Sequence, residues 1–140
     1  MKRHNAKDLP ALLLEKARED VAAVEALVDD ERVVDGIVLF HAQQAAEKTL
    51  KSVLSAKSIP FRMTHDLSEL TDQLANSAGP LPGGLGQIGL LTPYATSFRY
   101  ENLPLEASIL SRQTALKMVR ELMTWGQSFV NDQPPGGECQ

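Results

Sequence analysis

Apolar residues recur at three- and four-residue steps in the first part of the chain, at Leu14, Ala17, Val21, Val24 and Val28, the period of a helix that buries one face. Asp8 suits the cap and Pro10 the first turn, and Asp29-Asp30-Glu31 breaks the pattern, so a helix is predicted from Asp8 to near Asp29. A longer pattern follows. Val38, Leu39, Ala42, Ala45, Ala46, Leu50 and Val53 share one arc of a helical wheel, whereas His41, Gln44, Lys48 and Lys51 share the opposite arc. This second helix is predicted from about Val33 to about Ser58, where Ile59-Pro60 stops it because a residue before proline is pushed away from helical angles. Its apolar arc is rich in alanine, which lets neighbouring helices approach closely. That is the pattern of a central helix. Ile37 and Phe40 fall among the polar positions, so the polar face is expected to lie under a loop or another subunit.

Further on, Thr64-His65-Asp66-Leu67 reads as a helix start, with Thr64 or Asp66 accepting from free backbone N–H groups. Leu67, Leu70 and Leu74 give this third helix its apolar line, and it should end by Ala78. The breakers Gly79-Pro80-Leu81-Pro82-Gly83-Gly84 make a connecting loop. Leu85, Ile88, Leu91 and Tyr94 suggest a fourth helix that Pro93 should kink or end. A last long helix is predicted with Pro104 and Glu106 in its first turn and Ile109, Leu116, Val119, Leu122, Met123, Gly126, Phe129 and Val130 along one stripe. Residues 1–7 and 132–140 are expected to be disordered. No strand pattern appears. Residues 8–131 are therefore predicted to form one all-α domain, an antiparallel up-and-down bundle of four to five helices.

Composition narrows the functional classes. With 43% hydrophobic and 23% charged residues among 140, the chain has the make-up of an ordinary globular domain. Its net charge of −4 argues against broad nucleic-acid binding, which rests on neutralising phosphates. Between Lys48 and His65, however, stand Lys48, Lys51, Lys57 and Arg62 with no acidic residue, which reads either as a positive patch or as a solvated helix end and loop. Cys139 is the single cysteine, so neither a disulfide nor a thiolate metal site forms within one chain. His4, His41 and His65 show no metal-ligand spacing, and no phosphate loop, dinucleotide fingerprint or serine elbow is present. No metal and no cofactor is expected. Without a leader, or an apolar run near the ~20 residues of a membrane helix, the protein is expected in the cytoplasm and off the membrane.

What remains is a polar set: His41, Gln44, Lys48 and Lys51 on the second helix, His65 and Asp66 at a turn, and Tyr94, Arg99 and Tyr100 near a helix end. It suits phosphate, because lysine supplies a point charge, arginine a planar fork, and tyrosine a hydroxyl and a stacking face. The same residues admit a structural account. Glu47 and Lys51 are four apart in the favourable order, His65 and Asp66 can cap, and Arg99 can fasten two helices through a carboxylate. No catalytic group follows from spacing alone.

Phe40-His41-Ala42-Gln43-Gln44-Ala45-Ala46-Glu47-Lys48-Thr49-Leu50-Lys51, followed by Thr64-His65-Asp66-Leu67 and then Tyr94 with Arg99-Tyr100, resembles the HEPN domain, the higher-eukaryote and prokaryote nucleotide-binding family, over about residues 8–131. The resemblance implies an up-and-down helical bundle, usually dimeric, often paired with a minimal nucleotidyltransferase. Some members are toxins that cut RNA, and others are inactive partners or bind nucleotides. The active branch carries an arginine followed, after four to six residues, by a histidine that promotes attack of a ribose 2′-hydroxyl on the adjacent phosphate. This chain departs from that pattern. Arg99 is followed by Tyr100, Glu101, Asn102, Leu103, Pro104, Leu105 and Glu106, and only two residues separate Arg62 from His65.

The leading expectation is therefore a homodimer that binds nucleotide or RNA phosphate around Lys48, His65 and Arg99, as an accessory or toxin–antitoxin component without catalysis of its own. Two alternatives stand beside it. One is a ribonuclease toxin with an atypical site, in which His41 or His65 moves the proton. The other is a protein-binding partner of a minimal nucleotidyltransferase, with Ile37 and Phe40 as its contact.

Overall fold

The computed structural model describes residues 9–79, 81–83, 85–95 and 110–131. Four α-helices and one 3-10 helix hold 73% of them: α1 (Leu9–Leu27), α2 (Asp35–Ala56), α3 (Leu67–Ala75), the 3-10 helix Ile88–Ala95, and α4 (Arg112–Asn131). No strand occurs among the described residues, and the architecture is an all-α helical bundle. The expected disorder at 1–7 and 132–140 falls outside the described residues, as do Arg99 and Tyr100.

The core follows the periodicity. Leu14, Ala17, Val21, Val24 and Val28 of the first stripe are buried, as are Val38, Leu39, Ala42, Ala45, Ala46, Leu50 and Val53 of the second. α2 packs against each of the other four elements, which fixes it as the central helix. Its polar side is not open to solvent throughout: Gln43, Glu47 and Lys51 are also buried, as are Thr49 and Ser52 beside the alanines. Buried charge of this kind requires partners, and the neighbouring elements bring them.

Two predicted elements take another form. Leu85, Ile88, Leu91 and Tyr94 recur strictly every third residue, and the structure answers with a 3-10 helix, in which such positions eclipse one another. Pro93 lies inside it, and the helix continues to Ala95. The last helix does not run unbroken from Pro104. Leu110 and Ser111 are non-helical, and α4 starts at Arg112 because the Ser111 hydroxyl oxygen accepts from the Thr114 N–H at 3.0 Å. Pro104, Glu106 and Ile109 lie outside the described residues.

Arg112 locks this helix start to the rest of the bundle. Its guanidinium donates to the backbone oxygens of Leu27, Val28, Asp30 and Val33 and to Asp35 Oδ1 at 2.7 Å. The carbonyls left free at the end of α1 are thus satisfied by a side chain remote in sequence. Arg112 thereby ties the connection between α1 and α2 to the start of α4.

Candidate functional site

Two carboxylates organise the polar face of α2. The first, Asp20, reaches across from α1. Its Oδ1 lies 3.2 Å from His41 Nδ1 and its Oδ2 accepts from Lys48 Nζ at 2.7 Å. His41 and Lys48 are seven residues apart, two helical turns, so one carboxylate bridges both. Asp20 itself follows Ala17 by three and precedes Val24 by four, which places it on the rim of the buried stripe of α1.

The second carboxylate, Glu47, is only 6% exposed. Its Oε2 accepts from Lys51 Nζ at 2.8 Å, while its Oε1 accepts from Gln43 Nε2 at 3.0 Å and lies 2.8 Å from His65 Nδ1. Gln43, Glu47 and Lys51 form a line at four-residue spacing on one face of α2. Gln43 also donates to the His65 backbone oxygen at 3.3 Å, and Gln44 donates to Gln43 Oε1 at 2.7 Å. The Lys51 ammonium sits 5.8 Å from the centroid of the Phe61 ring. A loop and α1 thus cover much of the polar face from within the same chain.

The turn that carries His65 is itself held. Thr64 Oγ1 accepts from the Asp66 N–H, Asp66 Oδ1 accepts from the Ser68 N–H, and the Leu67 N–H donates to Thr92 Oγ1 of the 3-10 helix. Asp66 therefore acts as the cap of α3. The His65 side chain stays 58% exposed while its Nδ1 is fixed on Glu47.

Burial is the largest single influence on the Glu47 carboxyl and pushes it up. Hydrogen bonds from Lys51, Gln43 and His65, with the Lys51 charge, outweigh it together and hold the carboxyl below its ordinary range. An ionised carboxylate only accepts, so the His65 tautomer that fits this contact carries its proton on Nδ1 and leaves Nε2 as the lone-pair nitrogen.

The positive patch expected between Lys48 and His65 is compensated in space. Lys48 meets Asp20, Lys51 meets Glu47, and Arg62 forms a two-pronged pair with Glu69 at 2.6 and 2.8 Å. Lys57 lies 5.2 Å from the centroid of the Phe129 ring. The sequence segment holds no acid, but its neighbours in the fold supply three.

Of the residues singled out in the sequence, the structure gathers His41, Gln44, Lys48, Lys51 and His65 around these two carboxylates. Asp66 adjoins them as a helix cap. Tyr94 stands in the core, where burial first and the negative charge of Asp35 second push its phenol above the ordinary tyrosine range. Asp20, Gln43 and Glu47 were not among the candidates. The four-residue line from Gln43 to Lys51 and the rim position of Asp20 are the signals that mark them.

Among the described residues, no group of three or more His, Cys, Asp or Glu side chains is placed to hold a metal ion, and no helix is long and apolar enough to cross a membrane.

A helical bundle whose central helix carries a polar face built on paired carboxylates defines the class of this protein, and the family model of the HEPN domain matches residues 11–129. The chain belongs to the HEPN domain family. That family is generally nucleotide- or RNA-related, and its members are often ribonuclease toxins. Comparison with curated proteins and with solved structures gave no match.

Proposed function

We propose that this HEPN domain binds the phosphate of a nucleotide or of RNA on the polar face of α2, as a dimeric accessory or toxin–antitoxin component that does not cut RNA. The observation that supports this reading is that His41, Gln44 and Lys48 lie along one side of α2 and His65 docks on Glu47 of the same helix, each held by a partner that fixes its direction. Groups held in advance lose little freedom when a ligand arrives. The family's Arg-then-His pattern is absent after Arg99, and Arg62, three residues before His65, is engaged by Glu69. Both facts favour binding over cleavage.

Isothermal calorimetry at low salt with ATP, GTP, nucleoside monophosphates and short RNA tests the reading. Lys48→Met is expected to weaken binding by about 1.5–3 kcal/mol, the scale of a hydrogen bond to a charged group. For RNA it should also lower the salt dependence by roughly one phosphate contact. Absence of heat with every ligand would remove the ligand from the reading.

One geometric feature supports a second reading, RNA cleavage at an atypical site. With Nδ1 donating to Glu47, the exposed Nε2 of His65 is free to take the proton of a ribose 2′-hydroxyl. The oxygen would then attack the adjacent phosphorus, and the 5′-oxygen of the next nucleotide would leave with the proton that His65 Nε2 had taken, returned directly or through water. Incubation with transfer RNA separates the two readings. Cleavage by the wild-type chain that disappears in His65→Gln supports the second, and intact RNA across neutral pH supports the first.

A further inference from the structure

The Glu47 cluster offers solvent a hydrogen-bond acceptor rather than a charge. Glu47 and Lys51 are 6% and 8% exposed and bonded to each other at 2.8 Å, so their charges cancel beneath the surface. Above them stands the imidazole of His65, its side chain 58% exposed and its Nδ1 2.8 Å from Glu47 Oε1. This residue is fixed to α2 twice: the ring meets Glu47, and the backbone oxygen accepts from Gln43 Nε2 at 3.3 Å. The loop that leads to it is tied as well, by Gln73 on the Pro60 oxygen and by Arg62 on Glu69. An ionised carboxylate has no proton to give, and its donors hold Glu47 in that form. A neutral imidazole has a single ring proton. Here it is committed to Nδ1, and Nε2 is left as an acceptor.

A lone pair on nitrogen is a poor match for phosphate oxygens, which also only accept, and a good match for a hydroxyl, which donates. In a nucleic acid the hydroxyl that recurs beside every phosphate is the ribose 2′-hydroxyl, and DNA lacks it. Base N–H groups donate too, but they change from one base to the next. We propose that His65 selects ribose over deoxyribose: its Nε2 accepts from a 2′-hydroxyl of the bound strand, and Glu47 is the positioning residue that keeps Nε2 free to accept. This rests on the phosphate-binding reading above and names the class of ligand, a ribonucleotide strand. His65 thereby reads the sugar and leaves the phosphate to other groups.

The test is calorimetry of the full chain at about pH 8, above the ordinary range of imidazoles, with short oligouridylates that differ only at the 2′ position: ribo, deoxy, 2′-fluoro and 2′-O-methyl. The fluoro and O-methyl strands keep the sugar pucker of RNA but cannot donate, which separates the hydroxyl proton from the shape of the strand. The ribo strand is expected to bind about three- to tenfold tighter than each of the others, the worth of one hydrogen bond between neutral groups. His65→Ala should erase that preference and leave the salt dependence unchanged, because no phosphate contact is lost with it. Glu47→Gln should erase it with His65 still in place. Lys51 only donates and claims the amide oxygen, so the amide NH2 faces Nδ1 and the ring proton moves to Nε2. Circular dichroism verifies that both variants are folded. Nitrogen NMR of the imidazole rings needs no variant, and in the wild-type chain it should find the His65 proton on Nδ1. A gel of the recovered ribo strand should show it intact; shortening that His65→Ala abolishes would put the same nitrogen on the same hydroxyl and select the cleavage reading of that contact. A proton on Nε2, or equal binding of the ribo and fluoro strands by the wild-type chain, would overturn the inference and leave the phosphate-binding reading standing. No binding of any strand would overturn that reading itself.

Discussion

Ser58 adopts a left-handed conformation, with φ of 58°, immediately after the end of α2. The Ile59 N–H donates to the Leu54 oxygen at 2.8 Å and the Ser58 N–H to the Ser55 oxygen at 3.0 Å, the paired bonds of a Schellman termination. Glycine is the usual residue at this position, because a side chain there brings Cβ close to the following carbonyl. Ser58→Gly is therefore expected to stabilise the fold by about 1 kcal/mol, read as a higher denaturant midpoint at unchanged slope. The sequence located the stop correctly at Ile59-Pro60. It did not show that the reversal takes place one residue earlier, since nothing in a serine announces positive φ.

At the scale of elements, the crossing of α2 and α4 is set by what is missing. A Cβ on Gly126 would lie 2.7 Å from Thr49 Cγ2 and 3.4 Å from Val53 Cγ2, so the glycine is what lets the two backbones come this close. Thr49 has little room to yield, because it is buried and its hydroxyl donates to the Ala45 oxygen at 2.8 Å. Gly126→Ala should gain helix propensity worth about 1 kcal/mol and yet lose about 1–3 kcal/mol to overpacking. A net loss in thermal midpoint is the expected result. Adding Thr49→Ser, which removes the offending methyl group, should return most of it. Periodicity alone placed Gly126 on the apolar stripe, but only the packed pair shows why a methyl group is excluded there.

For the whole molecule, the arrangement of charge governs how the fold responds to acid. Glu47 has its carboxyl held below the ordinary range in the folded state, so the folded chain binds that proton less readily than the unfolded one. Its stabilising contribution is complete above about pH 4.5, where an unfolded glutamate is ionised, and is lost as pH falls through the lower folded value. Urea denaturation over a pH series should show stability falling in that acid window. Glu47→Gln, which leaves Lys51 buried without its counter-ion, should cost about 3 kcal/mol at neutral pH, with the gap to wild type narrowing in acid. The exposed Arg62–Glu69 and Arg32–Asp30 pairs also hold their carboxyls low, but solvent screening keeps their share small.

The chain by itself determined which faces are apolar, where three of the helices begin and end to within a few residues, and that α2 lies at the centre. Those properties depend on periodicity, caps and breakers, all of which are local. The four-residue Glu47–Lys51 pair was legible in the sequence, but tertiary structure alone decided which distant charges meet. Asp20 is separated from Lys48 by 28 positions, Glu47 from His65 by 18, and Arg112 from Asp35 by 77. Coulomb attraction depends on distance in space, so in a segment without a single acidic residue Lys48, Lys51 and Arg62 each meet a carboxylate, while Lys57 lies over the Phe129 ring.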